Sequence, residues 1–370
     1  MRVLHIAQPL STPAPWFAFS RIDGHCAGEG GLLAAADLVA ESAASNPDEQ
    51  HHVAVLGSAG ARALCRHLPL RGVSFVSPPL GQAHRCAPAM RRLVSRSGPL
   101  DAVVCWGTNL RRLARRTAYA APRWLEVDMQ SGDARFLRPG RGEVSTPCAS
   151  VLPHGWGERG SADTRATARA RLGLADGEAA IVLLTDAACP GSATDFLGTA
   201  AMLQVAGVAA TYIIPAACAE LARAERRVRE GTYARRVIVT DLPASFVAQG
   251  ADIAVCCPAS AGALGHHASL SSIARAAARA GTTVVLPDAW ADVWFASAPD
   301  SKGSVEASGD APLMVRSNAA TPTEVARAML PIMLDFDSKA RRWLPTAQRH
   351  SAPSLLDVLR AEVGSSSHRG

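Results

Sequence analysis

Short apolar runs alternate with longer amphipathic segments along the chain, and the stretch from Arg235 to Trp290 shows this alternation most clearly. VIVT, ADIAVCC and TTVVLP are apolar runs with many β-branched residues, and prolines end the last two. Between these two lies SLSSIARAAARAG, which begins with serines and reaches Gly281 where a helix would end. Apolar strands that alternate with helices predict a parallel sheet with both faces buried.

The same alternation runs through the rest of the 370 residues. The first part contains VLHIA, HHVAVLGS, GVSFV, LDAVVCWG and PRWLEVDM, and the second adds AAIVLLTDA, VAATYIIPA and LMVRS, an edge-strand candidate. A segment rich in Gly, Trp and Pro, residues 153–157, separates the two parts as a hinge. We therefore predict an α/β fold with two Rossmann-like domains, residues 1–150 and 151–335, with parallel sheets and a cleft between them. Residues 132–147 are rich in Gly, Arg and Pro and predict an irregular loop.

The composition is that of a globular protein, with 48% hydrophobic and 19% charged residues. The formal net charge is +6, and almost all of the positive charge is arginine, since lysine occurs only at Lys302 and Lys339. Two interpretations stay open: an ordinary solvated surface, or a basic face for anionic nucleotide sugars or acidic lipid headgroups. We expect no nucleic-acid partner, because aromatic residues make up 5% of the chain and no basic stripe interleaves with them.

Nine cysteines are scattered along the chain without a C-x-x-C pair, and Cys256 and Cys257 are adjacent in a predicted buried strand. An odd number of buried cysteines predicts reduced thiols and a cytoplasmic protein. The histidines do not share metal-ligand spacing with the cysteines, so we predict no metal site, and we expect no cofactor. No apolar run reaches the roughly 18 residues that span a bilayer. The opening MRVLHIAQPL predicts a strand rather than a signal peptide, and we expect at most a peripheral membrane contact through arginines.

ADIAVCCPAS, the loop after it, a helix that ends in Ala-Gly, and TTVV together resemble the donor-binding core of the family 4 glycosyltransferases. LDAVVCWG, from Leu100, is similar to a strand of that family, and VLPHG, from Val151, is similar to the segment that starts its second half. The resemblance implies the two-domain GT-B architecture, in which the last helix crosses back onto the first domain. We accordingly expect residues 336–363 to form helices that pack on the N-terminal domain, and residues 364–370 to form a disordered tail.

The resemblance also implies a function: the transfer of a sugar from a nucleotide-sugar donor to a glycan or another acceptor. However, two charged pairs of the family's donor site are absent. The family's two glutamates fall here on Ala268 and Ala276, and the loop that carries its Arg and Lys has Asp186 and Pro190-Gly191 in their places. The alternative is therefore a catalytically inactive GT-B-fold protein that acts as a binding or structural component. The sequence identifies no catalytic residue.

The remaining donor-site candidates lie around the start of the helix that follows ADIAVCC. Unpaired N–H groups and the helix dipole favour an anion there, and neighbouring hydroxyls and imidazoles add hydrogen-bond donors. A polar loop without a ligand is the alternative interpretation. These donor-binding candidates are Ser260, His266, His267, Ser269, Ser271 and Ser272.

A glycine-rich turn, GEGG at residues 28–31, precedes the first predicted helix. In the family a Gly-Gly pair at this place lines the cleft, so Gly30 and Gly31 join the donor-binding candidates; a plain flexible turn is the alternative. We predict that nucleotide phosphates bind at the helix start near Ser269 and face these two glycines. The dinucleotide fingerprint G-x-G-x-x-G is missing after the first strand, which argues against an NAD-dependent oxidoreductase.

Overall fold

The fold is given by a computed structural model. It divides into two compact units, Met1–Gly155 with His267–Ser272 and Arg349–Gly370, and Trp156–His266 with Ile273–Gln348. The predicted hinge, residues 153–157, lies outside the residues that the structure describes. Those are residues 1–8, 28–57, 65, 73–76, 86–107, 113, 123–129, 134–137, 162–186, 191–216, 218, 220–231, 236–257, 268–287, 290, 314–317, 321–334 and 355–367.

Each unit contains one six-stranded sheet. In the first unit the strands are β1 (Arg2–Ala7), β2 (Gln50–Leu56), β3 (Val73–Val76), β4 (Ala102–Trp106), β5 (Trp124–Val127) and β6 (Ala134–Leu137). In the second unit they are β7 (Ala180–Leu184), β8 (Thr211–Pro215), β9 (Val237–Thr240), β10 (Ile253–Cys256), β11 (Thr283–Pro287) and β12 (Met314–Ser317).

Nine helices lie within the described residues. The first unit has α1 (Gly28–Ser45), α2 (Ala87–Arg96) and α9 (Leu355–Ser367). The second unit has α3 (Ala162–Leu172), α4 (Ala193–Val205), α5 (Leu221–Arg229), α6 (Ala244–Gly250) and α8 (Pro322–Leu334). Helix α7 (Ala268–Arg279) follows β10 in the chain and leads into β11.

The two sheets have the same strand order. In the first unit it is β3-β2-β1-β4-β5-β6. The second sheet has the order β12-β11-β10-β7-β8-β9, which corresponds to that of the first when it is read from β9 to β12. All neighbouring strands are parallel except β5 and β6, which are antiparallel. This is the order of doubly wound nucleotide-binding domains. The predicted fold class, two Rossmann-like domains with largely parallel sheets, is confirmed, and LMVRS is an edge strand as expected.

The central strands are buried on both faces, which explains their continuous apolar runs. Strands β4, β7 and β8 are buried at every position. On one face of the first sheet Val3 and Ala7 pack with residues of α1 and α9, whereas Leu4 and Ile6 on the other face pack with residues of α2. Parallel sheets require this cover on both sides, because neither face can meet water with such side chains.

Two helix starts and one helix end show common capping chemistry. The backbone N–H of Asp195 donates to Ser192 Oγ over 3.2 Å at the start of α4. At the start of α8, Thr321 Oγ1 accepts from the backbone N–H of Glu324 over 3.4 Å. Gly281, with φ +83°, follows the end of α7 in the left-handed region that favours glycine.

Three local expectations were wrong. Residues 132–147 were expected to form an irregular loop, yet Ala134–Leu137 pair with β5 as strand β6, because an edge strand needs a neighbour on only one side. Helix α1 begins at Gly28, so GEGG forms its first turn instead of preceding it. Helix α9 extends to Ser367, into the stretch expected to be a disordered tail, since its serines continue the helical turns.

A buried ion network holds the amino edge of the second sheet. Both oxygens of Asp252 are used: Arg165 donates to Oδ1, and Arg169 donates to Oδ2 over 3.2 Å. The backbone N–H of Ala180, the first residue of β7, donates to the same Oδ2 over 2.8 Å. The network therefore fixes α3, which carries both arginines, against the amino ends of β7 and β10.

The six cysteines within the described residues are free thiols, and five of them are buried. Burial raises the pKa of the Cys65 thiol to about 11, and burial also raises that of Cys218 to about 11. Thiols with raised pKa values carry little thiolate at neutral pH and are poor nucleophiles. Their role in the described part of the fold is packing.

We expect Asp252→Asn to destabilise the second unit by about 3–5 kcal/mol, because two buried guanidinium groups lose the charge that compensates them. The matched control is Glu324→Gln in the ion pair between Arg327 and Glu324 on α8, where the arginine side chain is 71% exposed. That control should change stability by only about 0–1 kcal/mol. Urea denaturation followed by circular dichroism measures both, and equal losses would contradict the assignment.

Candidate functional site

The strand order places a topological switch point in each sheet. In the first sheet it lies between β1 and β4, and in the second between β7 and β10, because the chain proceeds to opposite edges from these two strands. Ligands of open α/β sheets bind beyond the carboxyl ends of the strands at such a point. The residues that follow β1, β4, β7 and β10 are therefore the first candidates for function.

In the second unit, the start of α4 is bonded to the carboxyl ends of both switch-point strands. Gly191 donates its N–H to Thr185 Oγ1, one residue beyond β7, over 3.0 Å. Ser192 donates its N–H to the carbonyl oxygen of Cys257, one residue beyond β10, over 2.6 Å. A Cβ atom on Gly191 would lie only 2.6 Å from the carbonyl oxygen of Leu184, so the turn requires glycine. This corner of the site is rigid and closely packed.

Two aspartates make the start of α4 unsuitable for a phosphate. Asp186 follows β7 and is 1% exposed, and Asp195 lies in the first turn of α4. Burial, together with the charge of Asp195, raises the pKa of the Cys257 thiol to about 12. A carboxylate in the first turn of a helix repels a second anion and reduces the attraction of the helix N-terminus for a phosphate. The expectation that this loop repels a diphosphate stays a prediction.

Helix α7 follows β10 in the chain, and its first turn contains no acidic residue. Ser269 is the second residue of this helix, so its backbone N–H is one of those without an intrahelical acceptor. Ser271 and Ser272 are buried, at 0% and 2% exposure. Arg275 follows one turn later and is also buried. The donor-binding candidates Ser260, His266 and His267 lie outside the described residues.

In the first unit, the switch point is flanked by the start of α1 and by the end of β4. Gly30 and Gly31 lie in the first turn of α1 and are both buried. Gln8, which follows β1, and Glu29, beside the glycines, are buried as well. Glu29 gives this helix start an acidic residue in its first turn. The two glycines are therefore part of a helix whose N-terminus already has a carboxylate.

A histidine pair inside the first sheet escaped the sequence analysis. His5, in the middle of β1, is 0% exposed and its Nε2 lies 2.8 Å from His51 Nδ1 on β2. Trp106, the last residue of β4, donates its indole N–H to His5 Nδ1 over 3.2 Å. A histidine within the apolar run VLHIA was the available signal. The pairing itself depends on which strands become neighbours, and no local pattern encodes that.

A groove among the described residues lies at the opposite edge of the second sheet. It has a volume of about 980 Å³ and is lined by the amino ends of β7 and β8 and by the last turn of α8. An ion pair between Glu178 and Arg236 borders it, and Tyr212 Oη nearby is buried without a hydrogen-bond partner. Because ligands of these sheets bind at the carboxyl edge, we do not assign the functional site to this groove.

The described residues contain no group of three or more His, Cys, Asp or Glu side chains that could hold a metal ion. None of the helices described is both long enough and apolar enough to cross a membrane.

Comparisons with known proteins give a likeness of fold. No family model and no curated protein sequence matches the chain. A heptosyltransferase of E. coli with ADP-2-deoxy-2-fluoro heptose is 14% identical, with 90% of this chain and 99% of that chain covered and a TM-score of 0.45. A UDP-GlcNAc 2-epimerase from Neisseria meningitidis is 9% identical, with 99% and 100% covered and a TM-score of 0.49. Anabaena Alr3699/HepE, in complex with UDP and glucose, is 12% identical, with 99% and 95% covered and a TM-score of 0.46.

These values carry no argument about activity, and the names include both transferases and an epimerase. The resemblance to family 4 in particular stays a prediction. What the chain does has to be argued from its own residues.

We expect Gly191→Ala to destabilise the protein by about 1–3 kcal/mol, because the new methyl group meets the backbone oxygen of Leu184 and the side chain of Leu183. Gly364→Ala on α9 is the control, since a Cβ atom there has open space around it. That variant should gain about 0.5–1 kcal/mol from helix propensity. Thermal denaturation measures both, and an unchanged midpoint for Gly191→Ala would show that the turn tolerates a side chain.

Proposed function

We propose that the chain is a glycosyltransferase-like protein that binds a nucleotide sugar, with the diphosphate at the start of α7. One observation carries the proposal. Of the two helices that follow the switch-point strands β7 and β10 in the chain, α4 has Asp195 in its first turn, whereas α7 has no acidic residue there. A diphosphate needs N–H donors without a competing carboxylate, and α7 meets that requirement.

The neighbouring residues support an anion rather than a neutral ligand. Ser269 is positioned in the first turn of α7, and His266 and His267 directly precede this helix in the sequence. An imidazolium would add the positive charge that the loop after β7, with its buried Asp186, does not supply. No lysine or arginine clamp is part of this proposal, so we expect weak affinity. The acceptor, a glycan or another molecule, is left open.

A binding protein without transferase activity is the second candidate, and α7 provides the observation that favours it. Ala268 and Ala276, the positions of the family's two glutamates, are the first and ninth residues of the helix. An alanine cannot bind the sugar hydroxyls or stabilise charge at the reacting carbon as a carboxylate does. Release of nucleoside diphosphate from a nucleotide sugar with a mixture of acceptor glycans separates the two candidates, because only a transferase turns over.

We expect titration calorimetry to show that UDP or ADP binds more tightly at pH 6 than at pH 8, because imidazolium is present at the lower pH. Ser269→Glu should abolish binding at both pH values by placing a carboxylate beside the phosphates. The control is Ala222→Glu, the same change at the second, exposed residue of α5. It should leave the affinity unchanged.

Two outcomes of this titration would count against the proposal. If Ser269→Glu binds as the unaltered chain does, the phosphates lie elsewhere. If neither UDP nor ADP binds at either pH, nucleotide-sugar recognition is wrong, and a structural or interaction role becomes the better hypothesis.

We also propose that any contact with a membrane is peripheral and uses α2. The exposed positions of this helix include Arg91, Arg92 and Arg96, and none of its ten residues is acidic. The structure gives Arg91 and Arg96 no ion-pair partner among the described residues. Anionic lipid headgroups attract such a face with about 1 kcal/mol for each arginine near the surface.

We expect the protein to sediment with vesicles of phosphatidylglycerol at low salt and to be released at high salt, because salt screens exposed charges. The double variant Arg91→Glu/Arg92→Glu should no longer sediment. Arg226→Glu/Arg229→Glu on α5 is the control with the same change in net charge, and acidic residues are already interspersed there. Attachment that survives high salt, or equal loss in both variants, would contradict the role of α2.

A further inference from the structure

The hydrogen bonds in the core of the first unit form a chain with one direction. The indole N–H of Trp106 can only donate, so His5 Nδ1, which receives it, carries no hydrogen. Neutral His5 then has its hydrogen on Nε2 and donates it to His51 Nδ1. His51 in turn has its hydrogen on Nε2, which lies 3.8 Å from Glu49 Oε2 and has no hydrogen-bond partner in the described part of the chain.

The two ends of this series of hydrogen bonds have different surroundings. His5 packs against the rings of Trp106 and His51, and His51 is the titratable group that acts on it. The charges that act on His51 are Glu49, Arg360 of α9 and the α-amino group of Met1. Glu49 accepts from Ser42 of α1 over 2.5 Å and from Arg360 Nε over 2.9 Å. A carboxylate therefore faces the outer end, and an indole the inner end.

These surroundings decide which ring carries an added proton. An imidazolium at His51 gains an ion pair with Glu49, since 3.8 Å separates Nε2 from the carboxylate. Among the described residues, His51 is the group whose charge acts on His5, and no carboxylate does so. Burial raises the pKa of Glu49, but hydrogen bonds from Arg360 and Ser42 outweigh this effect and lower the pKa to about 2. The carboxylate of Glu49 is therefore charged throughout the range in which histidines titrate.

We propose that Trp106, His5, His51 and Glu49 form a proton-sensitive switch that reverses the His5 tautomer. When one proton enters the pair, the hydrogen on His5 Nε2 moves to His51 Nδ1, and the added proton occupies His5 Nδ1. His51 is then an imidazolium with hydrogens on both nitrogens, and His5 is still neutral. The indole N–H of Trp106 now faces another N–H and loses its acceptor.

The switch has a defined place in the fold. Trp106 ends β4, and Gly107 follows it in the left-handed region, with φ +115°, at the switch point of the first sheet. Release of the indole therefore alters the carboxyl edge where a ligand of this unit is expected. At the other end, Glu49 and Arg360 bind α9 to the turn before β2. One proton thus links the attachment of α9 to the end of β4.

The direction of the pH effect follows from burial. Burial lowers the pKa of His5 and, despite the opposing charge of Glu49, that of His51. The folded state therefore accepts the proton at a lower pH than the unfolded chain, whose histidines titrate near about 6.5. The switch operates below that pH, and stability falls as the pH decreases through this range.

Nitrogen NMR of the full chain with ¹⁵N-labelled histidine tests the switch, because it distinguishes bare, N–H and imidazolium nitrogens. At pH 8 we expect His5 Nδ1 to be bare. As the pH falls to 5, His5 Nδ1 should gain its hydrogen while His51 becomes an imidazolium, and the Trp106 indole resonance should shift with the same midpoint. Resonances are assigned by loss of single signals in His5→Gln and His51→Gln.

His51→Gln is also the decisive variant, since glutamine accepts from His5 but does not titrate. In it, the His5 tautomer and the Trp106 resonance should stay fixed from pH 8 to 5. His52→Gln, which removes the half-buried histidine that contacts Ser74, should leave the switch intact. The proposal is overturned if His5 itself becomes the imidazolium, if its tautomer does not change before the protein unfolds, or if His51→Gln titrates as the unaltered chain does.

Discussion

The burial of both faces of two parallel sheets is the constraint on which the rest of this structure depends. Parallel neighbours require a crossover after each strand, and the crossovers place helices on both sides. In such an arrangement each helix that follows a strand begins at the carboxyl edge. Helices α1, α4 and α7 each follow a switch-point strand in the chain, and their first turns are the groups that we expect a ligand to meet.

The electrostatic character of these helix starts differs. Glu29 lies in the first turn of α1 and Asp195 in that of α4, whereas α7 has alanine and serine there. Fold alone would allow an anion at all three places. The acidic side chains make the starts of α1 and α4 unfavourable for an anion. The proposed diphosphate site therefore rests on which residues occupy one helical turn, and not on likeness to other structures.

Most strands could be predicted from the sequence because apolar, β-branched runs such as AAIVLL are specific to buried parallel strands. Strand β6 was missed, since ARFL is short and lies among Gly, Arg and Pro. The α7 start could be located, because serines before an Ala/Arg-rich segment and Gly281 after it mark a helix. The His5–His51 pair could not, because its members are 46 residues apart and meet only through the parallel pairing of β1 and β2. The ion network of Asp252 with Arg165 and Arg169 could not be predicted either, because these residues are far apart in the sequence and meet only in the tertiary structure.

The solvent face of α2 has a consequence for how the protein responds to its medium. Its charge comes from exposed guanidinium groups alone. The attraction of that face for anions therefore varies with ionic strength, because salt screens exposed charges. The histidines inside the first sheet behave in the opposite way, since they are shielded from salt but sensitive to protons. Acid and salt therefore act on the first unit as two independent controls, one through its core and the other through its surface.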